Sequence, residues 1–302
     1  MYHSTFLPTP ALCFPKTYMK ISHLIESLLL AAVWGISFLF TRIAVPALGP
    51  ILLIELRLLL AGITLLLISS RLNLIAEIRH NWLNLLILGV INSAIPFLLF
   101  AFAALYLPAG FSSILNAAAP LFGTLIAGLW LKERLTLGQF IGLVIGFAGV
   151  TILVGWTKIP VTPEFIWAVA AGLTGAFLYA VAAPYARSKL AGVNSIAVAT
   201  GSQLGAALVL LPVAPWFLPN TFPSMTMIAV VIALGLFSTA LAYVIYFHLI
   251  DSIGVSKTLT VTYLIPLFAM FWGALILNEP ITASMILGCA LILSGTAIAL
   301  SQ

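Results

Sequence analysis

Residues 120–149 read PLFGTLIAGLWLKERLTLGQFIGLVIGFAG, and residues 266–295 read PLFAMFWGALILNEPITASMILGCALILSG. The second stretch begins 146 residues after the first. Each one holds a proline, then a long apolar run, then a glutamate in a short polar turn, then a run with spaced glycines. Self-similarity at one fixed spacing indicates that the chain is built from two copies of a single unit.

The composition of the whole chain indicates that its solvent is lipid. Of the 302 residues, 63% are hydrophobic and 6% are charged, whereas a soluble domain has about 25% charged residues. The apolar runs are continuous and near the roughly 20 residues that a helix needs to cross a bilayer. Because backbone groups in lipid must be satisfied internally, we predict an all-α integral membrane protein.

We predict ten transmembrane helices that alternate across the membrane. Their approximate bounds are 24–42, 48–69, 82–106, 109–131, 137–155, 165–187, 193–212, 226–249, 255–277 and 281–300. With the N-terminus inside, the inside segments hold nine of the twelve lysines and arginines, the outside segments hold Lys158 and, at the interface, Arg42, and Arg57 lies within span 2. The positive-inside rule therefore predicts a multi-pass protein of the cell inner membrane with both termini in the cytoplasm.

The repeat divides the chain into three parts. We predict a disordered N-terminal tail at 1–20, a first five-helix repeat at 21–156 and a second at 157–302, with either Met1 or Met19 as the true start. Because five is odd, the second unit enters the membrane in the opposite sense. Two inverted repeats are an architecture of secondary transporters.

A family resemblance rests on two segments, 97–153 and 242–282. Both show an aromatic-rich helix, a short turn, a helix with a central proline, a glutamate and then a further helix, and Trp34-Gly35 fits the start of the first unit. This pattern resembles the EamA domain of the drug/metabolite transporter superfamily, over about 20–300. The resemblance implies a ten-helix fold with a central cavity and export of metabolites such as amino acids. Thr174, near the position that aligns with Trp34, departs from the pattern.

Three prolines mark a candidate site at mid-membrane. A proline frees the carbonyl four residues earlier, so Pro96, Pro120 and Pro266 free those of Asn92, Asn116 and Thr262. Helices interrupted at this depth form the binding sites of many transporters, so we expect loosened helices here.

Polar and aromatic side chains at this depth form the predicted substrate site. The full set is Trp34, Asn92, Ser93, Asn116, Tyr179, Ser238, Tyr243, Thr262 and Tyr263. The repeat pairs Asn92 with Ser238, Ser93 with Thr239 and Asn116 with Thr262. The alternative is that the polar residues join helices, at about 0.6 kcal/mol each, and that the aromatic residues pack.

Glu55 and Arg57 are the ionisable residues inside the second span. Such residues are functional candidates, and Glu55 would carry the proton in a proton-coupled transporter. The alternative is a structural ion pair of Glu55 with Arg57 or Arg42. Glu133 and Glu279 are predicted to be solvated anchors at helix ends.

The leading functional hypothesis is a secondary transporter that exports small metabolites by alternating access. The alternatives are a passive channel or facilitator of the same fold and an intramembrane enzyme. No P-loop and no HExxH motif occurs in the sequence, so we expect neither an enzyme nor a metal site nor a cofactor. The formal net charge of +5 resides in loops, which argues against nucleic acid as a partner. We expect a small-molecule substrate, contact with lipid and a monomer, with the span-5 glycines (Gly138, Gly142, Gly146, Gly149) packing within it, although a dimer stays open.

Overall fold

A computed structural model describes residues 20–129, 135–157 and 159–300. Within these ranges the regular elements are helices, and eight helical segments are long and apolar enough to cross a membrane. The all-α membrane fold is therefore confirmed. The predicted tail, apart from its last residue, and Glu133 lie outside the described residues.

The helices follow one another with short connections. The first part contains α1 (Ile21–Arg71), α2 (Ile75–His80), α3 (Trp82–Gly89), a π-helix π1 (Val90–Ala94), α4 (Ile95–Ala103), α5 (Ala109–Asn116), α6 (Ala119–Leu129) and α7 (Leu137–Gly155). The second part contains α8 (Pro163–Lys189), α9 (Ser195–Leu210), a 3₁₀ turn (Ala214–Phe217), α10 (Met225–Gly235), π2 (Leu236–Leu241), α11 (Ala242–Ile253), α12 (Val255–Leu259), α13 (Val261–Leu277) and α14 (Ala283–Leu300).

Helix α1 has 51 residues and would measure about 77 Å if it were straight, far more than the roughly 30 Å hydrocarbon core. Gly49 interrupts it with φ 70° and ψ 163°, between Pro46 and Pro50. The resulting arms, 21–48 and 50–71, overlap the first two predicted spans, 24–42 and 48–69, although the first arm extends six residues beyond the predicted end. Because α1 counts as one segment and α9 has only 16 residues, the predicted number of ten is not established by the eight long segments.

Substitution of Gly49 by alanine is expected to destabilise the protein by about 1–3 kcal/mol, because these φ and ψ angles belong to a region that glycine alone adopts readily. A Cβ at Gly49 would meet no atom within 4 Å, so the cost is conformational and not steric. Thermal unfolding of the purified protein in detergent measures it. Gly155→Ala is the matched control, since that glycine also has open space around it but an ordinary φ. Equal melting temperatures for both variants would contradict the expectation.

Helices α7 and α14 pack with their backbones in contact. A Cβ at Gly142 would lie 2.6 Å from the carbonyl oxygen of Gly295, and one at Gly149 would lie 2.9 Å from that of Gly288. The two helices are therefore antiparallel and held close by small residues. The offset of 146 residues pairs Gly142 with Gly288 and Gly149 with Gly295, so this contact, named here the glycine seam, is reciprocal between the repeat copies.

The three prolines affect their helices differently. A turn at 117–118 separates α5 from α6 just before Pro120, and Pro96 lies in the first turn of α4, directly after π1. Helix α13 continues through Pro266, and the interruption lies six residues earlier, at Thr260 between α12 and α13. The segments π1 and π2 begin 146 residues apart, although Ala242 stands where π2 would need the equivalent of Pro96. Proline is therefore not the shared cause of the two π-helices.

Candidate functional site

A cavity of about 830 Å³ lies among helices of both parts of the chain. Its lining includes the buried residues Ser238 and Thr239 at one end and the exposed residues Arg187, Leu259 and Leu300 at the other. The cavity therefore reaches the protein surface where α8 and α14 end. Its volume is typical of small-molecule sites, which measure about 300–1,000 Å³.

Eight of the nine predicted substrate-site residues line this cavity: Trp34, Asn92, Asn116, Tyr179, Ser238, Tyr243, Thr262 and Tyr263. The ninth, Ser93, is fully buried outside the lining, where its Oγ accepts a hydrogen bond from Gln203 Nε2 at 3.0 Å. The structure therefore brings the predicted set together, with Ser93 behind the wall. Their role in binding stays a prediction.

Two hydrogen bonds join the π-helices to the opposite part of the chain. Arg57 Nε donates to Thr239 Oγ1 of π2 at 2.9 Å, and Gln203 Nε2 donates to Ser93 Oγ of π1. The offset of 146 residues relates Arg57 to Gln203 and Ser93 to Thr239. The two hydrogen bonds therefore occupy equivalent positions in the two copies. The donor to Thr239 is the charged guanidinium of Arg57, and the donor to Ser93 is the neutral amide of Gln203.

The structural ion pair considered as the alternative role for Glu55 does not occur among the described residues. Within the described part of the chain, the Glu55 side chain is 2% exposed and neither carboxylate oxygen has a hydrogen-bond partner. Residues two apart on a helix do not face each other, and Arg57 instead lines the cavity, with its guanidinium carbon 3.9 Å from the centroid of the Phe97 ring. Arg42 pairs elsewhere.

At the opposite end of the cavity the lining residues Thr41 and Ala104 are buried, and a cluster of polar contacts, named here the Arg42–Glu279 cluster, lies next to Ala104. Arg42 Nη1 donates to the carbonyl of Ala104, which lines the cavity, and Arg42 Nε lies 3.9 Å from Glu279 Oε1. The backbone N–H of Ala109 donates to Glu279 Oε2 at 3.0 Å. The cluster thus joins α1, the end of α4, the start of α5 and the connection between α13 and α14.

Glu279 was expected to be solvated, but its side chain is only 14% exposed. It follows Asn278, whose left-handed φ of 54° ends α13, and the N–H groups of both residues donate to the carbonyl of Gly273. This turn directs the carboxylate back into the bundle. Helix α14 has 18 residues, or about 27 Å, so the cluster and the open end lie on opposite sides of the bundle.

Comparisons with known proteins agree with this architecture. The EamA-like transporter family matches residues 23–155 and again 166–301. This chain belongs to the EamA-like transporter family. An uncharacterized transporter of Archaeoglobus fulgidus is 23% identical over 87% of this chain and 92% of its own length. A probable terminal-alkyne amino-acid exporter of Streptantibioticus cattleyicolor is 24% identical over 92% of this chain and 93% of its own length. A solved crystal structure has the same fold, with a TM-score of 0.66 at 20% identity over 93% of this chain and 97% of the other.

The family confirms the predicted resemblance and the prediction that this chain is not an enzyme, because the family and these relatives are transporters. Among the described residues of this EamA-like transporter, no group of three or more His, Cys, Asp and Glu side chains could hold a metal ion.

The EamA-like transporter also has cavity residues that the sequence reasoning missed. Ser37, Phe38 and Thr41 line the cavity beside Trp34, at the spacing of three, four and seven residues that places side chains on one helix face. That spacing was the signal that could have revealed them. Phe100 extends this surface, with its ring centroid 5.7 Å from that of Phe38 and stacked 6.1 Å from that of Tyr179.

Proposed function

We propose that this EamA-like transporter exports small metabolites, amino acids or related compounds, across the inner membrane by alternating access. The observation that carries the proposal is the cavity of about 830 Å³, which reaches the surface at Arg187 and is lined by the buried residues Thr41 and Ala104 at its other end, beside the Arg42–Glu279 cluster. A cavity with one open end supports a carrier over a passive channel of the same fold, because a channel needs a continuous path. A relative named as an amino-acid exporter supports the substrate class.

The proposed carrier has ten transmembrane helices in two inverted five-helix repeats, 21–156 and 157–302. The two arms of α1 and the short helix α9 supply the additional spans. Three reciprocal features support the inversion: the antiparallel glycine seam, the paired π-helices and the two equivalent hydrogen bonds to Thr239 and Ser93. Inverted repeats suit alternating access because one half can adopt the arrangement of the other.

The proposed orientation places the open end of the cavity in the cytoplasm. Arg187 and Lys189 lie in the last turn of α8, beside that opening. The backbone N–H of Asn194 donates to Glu77 Oε1 at 2.9 Å, which brings the basic residues Arg71 and Arg79 to the same end. Positive charge favours the cytoplasmic side, so both termini are cytoplasmic and the cluster faces outward. We propose a monomer as the transporting unit.

Reconstitution into liposomes tests the proposed function. Liposomes that contain the purified protein are loaded with an unlabelled amino acid. The uptake of a labelled amino acid is then measured for a panel of aromatic and aliphatic amino acids. A carrier gives saturable uptake accelerated by internal substrate. Flux that never saturates, or the lack of acceleration for every member of the panel, would contradict the proposal.

Replacement of Glu279 by glutamine is expected to open the outer end. Hydrogen bonds to charged groups contribute about 1.5–3 kcal/mol, so outward access should rise about tenfold or more. The measurement uses Thr41→Cys, at the closed end of the cavity lining, in a background with alanine at both native cysteines. An impermeant maleimide is applied to right-side-out vesicles.

Glu164→Gln is the matched control for this experiment, because Glu164 is an exposed carboxylate at the start of α8. It should leave the labelling rate of Thr41→Cys unchanged. Equal outside labelling with and without Glu279→Gln would remove the cluster from the proposed mechanism.

A further inference from the structure

We propose that the cavity binds organic anions, small molecules with a carboxylate group on an apolar or aromatic body, and that Arg57 holds the carboxylate. The transport of these anions rests on the proposed function, whereas their binding is a separate property of the cavity. The inference follows from the surroundings of one buried guanidinium group.

Arg57 is 8% exposed and lines the cavity. Its Nε donates to the neutral hydroxyl of Thr239, and its guanidinium lies over the ring of Phe97. Within the described ranges, the two ion pairs are Arg42–Glu279 and His248–Glu26, so no carboxylate lies within 4.0 Å of Arg57. A buried charge is costly unless it is paired. The planar guanidinium can present its other N–H groups to a carboxylate as a fork.

The repeat shows that the charge is not needed for the fold. Gln203 occupies the equivalent position and makes the equivalent hydrogen bond to Ser93, with an uncharged amide. A glutamine at position 57 would therefore suffice for the bond to π2. The positive charge at Arg57 is an addition that only this copy has, and it lies on the cavity side, whereas Gln203 does not line the cavity.

The charges of the lining favour the same class of ligand. Among the described lining residues, Arg57 and Arg187 carry the charge, and both are cationic. Arg187 is exposed at the opening and Arg57 is buried. A low-dielectric cleft with one sign of charge concentrates ligands of the opposite sign, so the cavity attracts anions and disfavours organic cations.

The aromatic wall of the cavity indicates the chemistry of the part of the ligand that is not the carboxylate. Rings of Trp34, Phe38, Phe100 and Tyr179 line it, and aromatic faces bind flat or apolar bodies well. A carboxylate at Arg57 with a ring or alkyl chain against this wall fits within the cavity and pairs the buried charge.

Calorimetric titration of the purified full-length protein in nanodiscs tests the assignment. The probes are phenylacetate, indole-3-acetate and hexanoate, each compared with its uncharged amide and with phenethylammonium. We expect the wild-type protein to bind at least one carboxylate about tenfold or more tightly than its amide. Arg57→Gln should remove this preference while preserving the melting temperature, since it copies Gln203, and Arg57→Lys should retain part of it.

Arg71→Gln is the matched control, because Arg71 is exposed at the end of α1 and does not line the cavity. It should keep the carboxylate preference. The assignment is overturned if no carboxylate binds, if amides bind equally well, or if Arg57→Gln retains the preference. Counterflow measurements separate this result from the proposed function. Counterflow of uncharged substrates without any carboxylate preference would contradict the anion assignment but leave the proposed transport function intact. Anion binding without any counterflow would contradict the proposed transport function but leave the anion assignment intact.

Discussion

Replacement of Asn116 by leucine is expected to abolish export while the amount of folded protein in the membrane stays the same or rises. Asn116 lines the cavity just before the break between α5 and α6. Its Oδ1 is buried without a hydrogen-bond partner among the described residues. An unsatisfied buried acceptor costs about 1–3 kcal/mol, so its loss does not weaken the fold. The expected loss of export follows from the place of Asn116 in the cavity wall, beside the break between α5 and α6.

Tyr263→Ala is expected to abolish export as well, because Tyr263, on α13, also lines the cavity. Export is followed as efflux of preloaded labelled amino acid from cells, and abundance is followed by immunoblot of membranes. The matched control is Ser112→Ala, which removes another buried polar atom without a partner from α5, outside the cavity lining. Wild-type efflux by both cavity variants would exclude these residues from the site.

Replacement of Gly295 by leucine is expected to prevent stable folding. A Cβ at Gly295 would lie 2.5 Å from the carbonyl oxygen of Gly142 and 2.5 Å from the backbone nitrogen of Gly146. These atoms belong to helix backbone, which cannot rotate away as a side chain can. Forcing added atoms into a packed core costs about 1–3 kcal/mol and more where the neighbours are rigid, so we expect a loss of at least ~3 kcal/mol.

The loss of stability in Gly295→Leu is measured from the monodisperse fraction after size-exclusion chromatography in detergent and from the melting temperature. Gly155→Leu adds the same side chain to the end of α7, where a Cβ would meet no atom within 4 Å. That variant should remain folded. A normal elution profile for Gly295→Leu would show that α7 and α14 can separate at no cost.

Much of the fold could be predicted because lipid leaves few choices. Continuous apolar runs must be helices, and the charged turns between them fix their bounds, so the observed helix ends lie close to the predicted ones. The glycine stripe of α7 indicated close helix contact, and it packs within the chain. Asn116 could be placed at the cavity because Pro120 marks the interruption beside it.

Other features depend on information that a linear pattern lacks. The π-helix π2 forms without a proline, so the proline rule could not find it. Arg42 and Glu279 are far apart in the sequence, and their contact depends on how the turn at Asn278 directs the carboxylate. The alternative in which Glu55 pairs with Arg57 does not hold, because residues two apart on a helix point to different faces. Gln203 belongs to no sequence motif, and its hydrogen bond to Ser93 identifies it as the equivalent of Arg57.

The glycine seam has a consequence for how such a bundle moves. When each half adopts the conformation of the other, α7 takes the place of α14 and α14 that of α7. The contact between these two helices is then the same before and after the change. In the proposed cycle the seam can serve as the pivot, the one region where inward and outward forms share the same neighbours. Labels placed on either side of it should report a constant separation throughout turnover, while distances across the two mouths change in opposite directions.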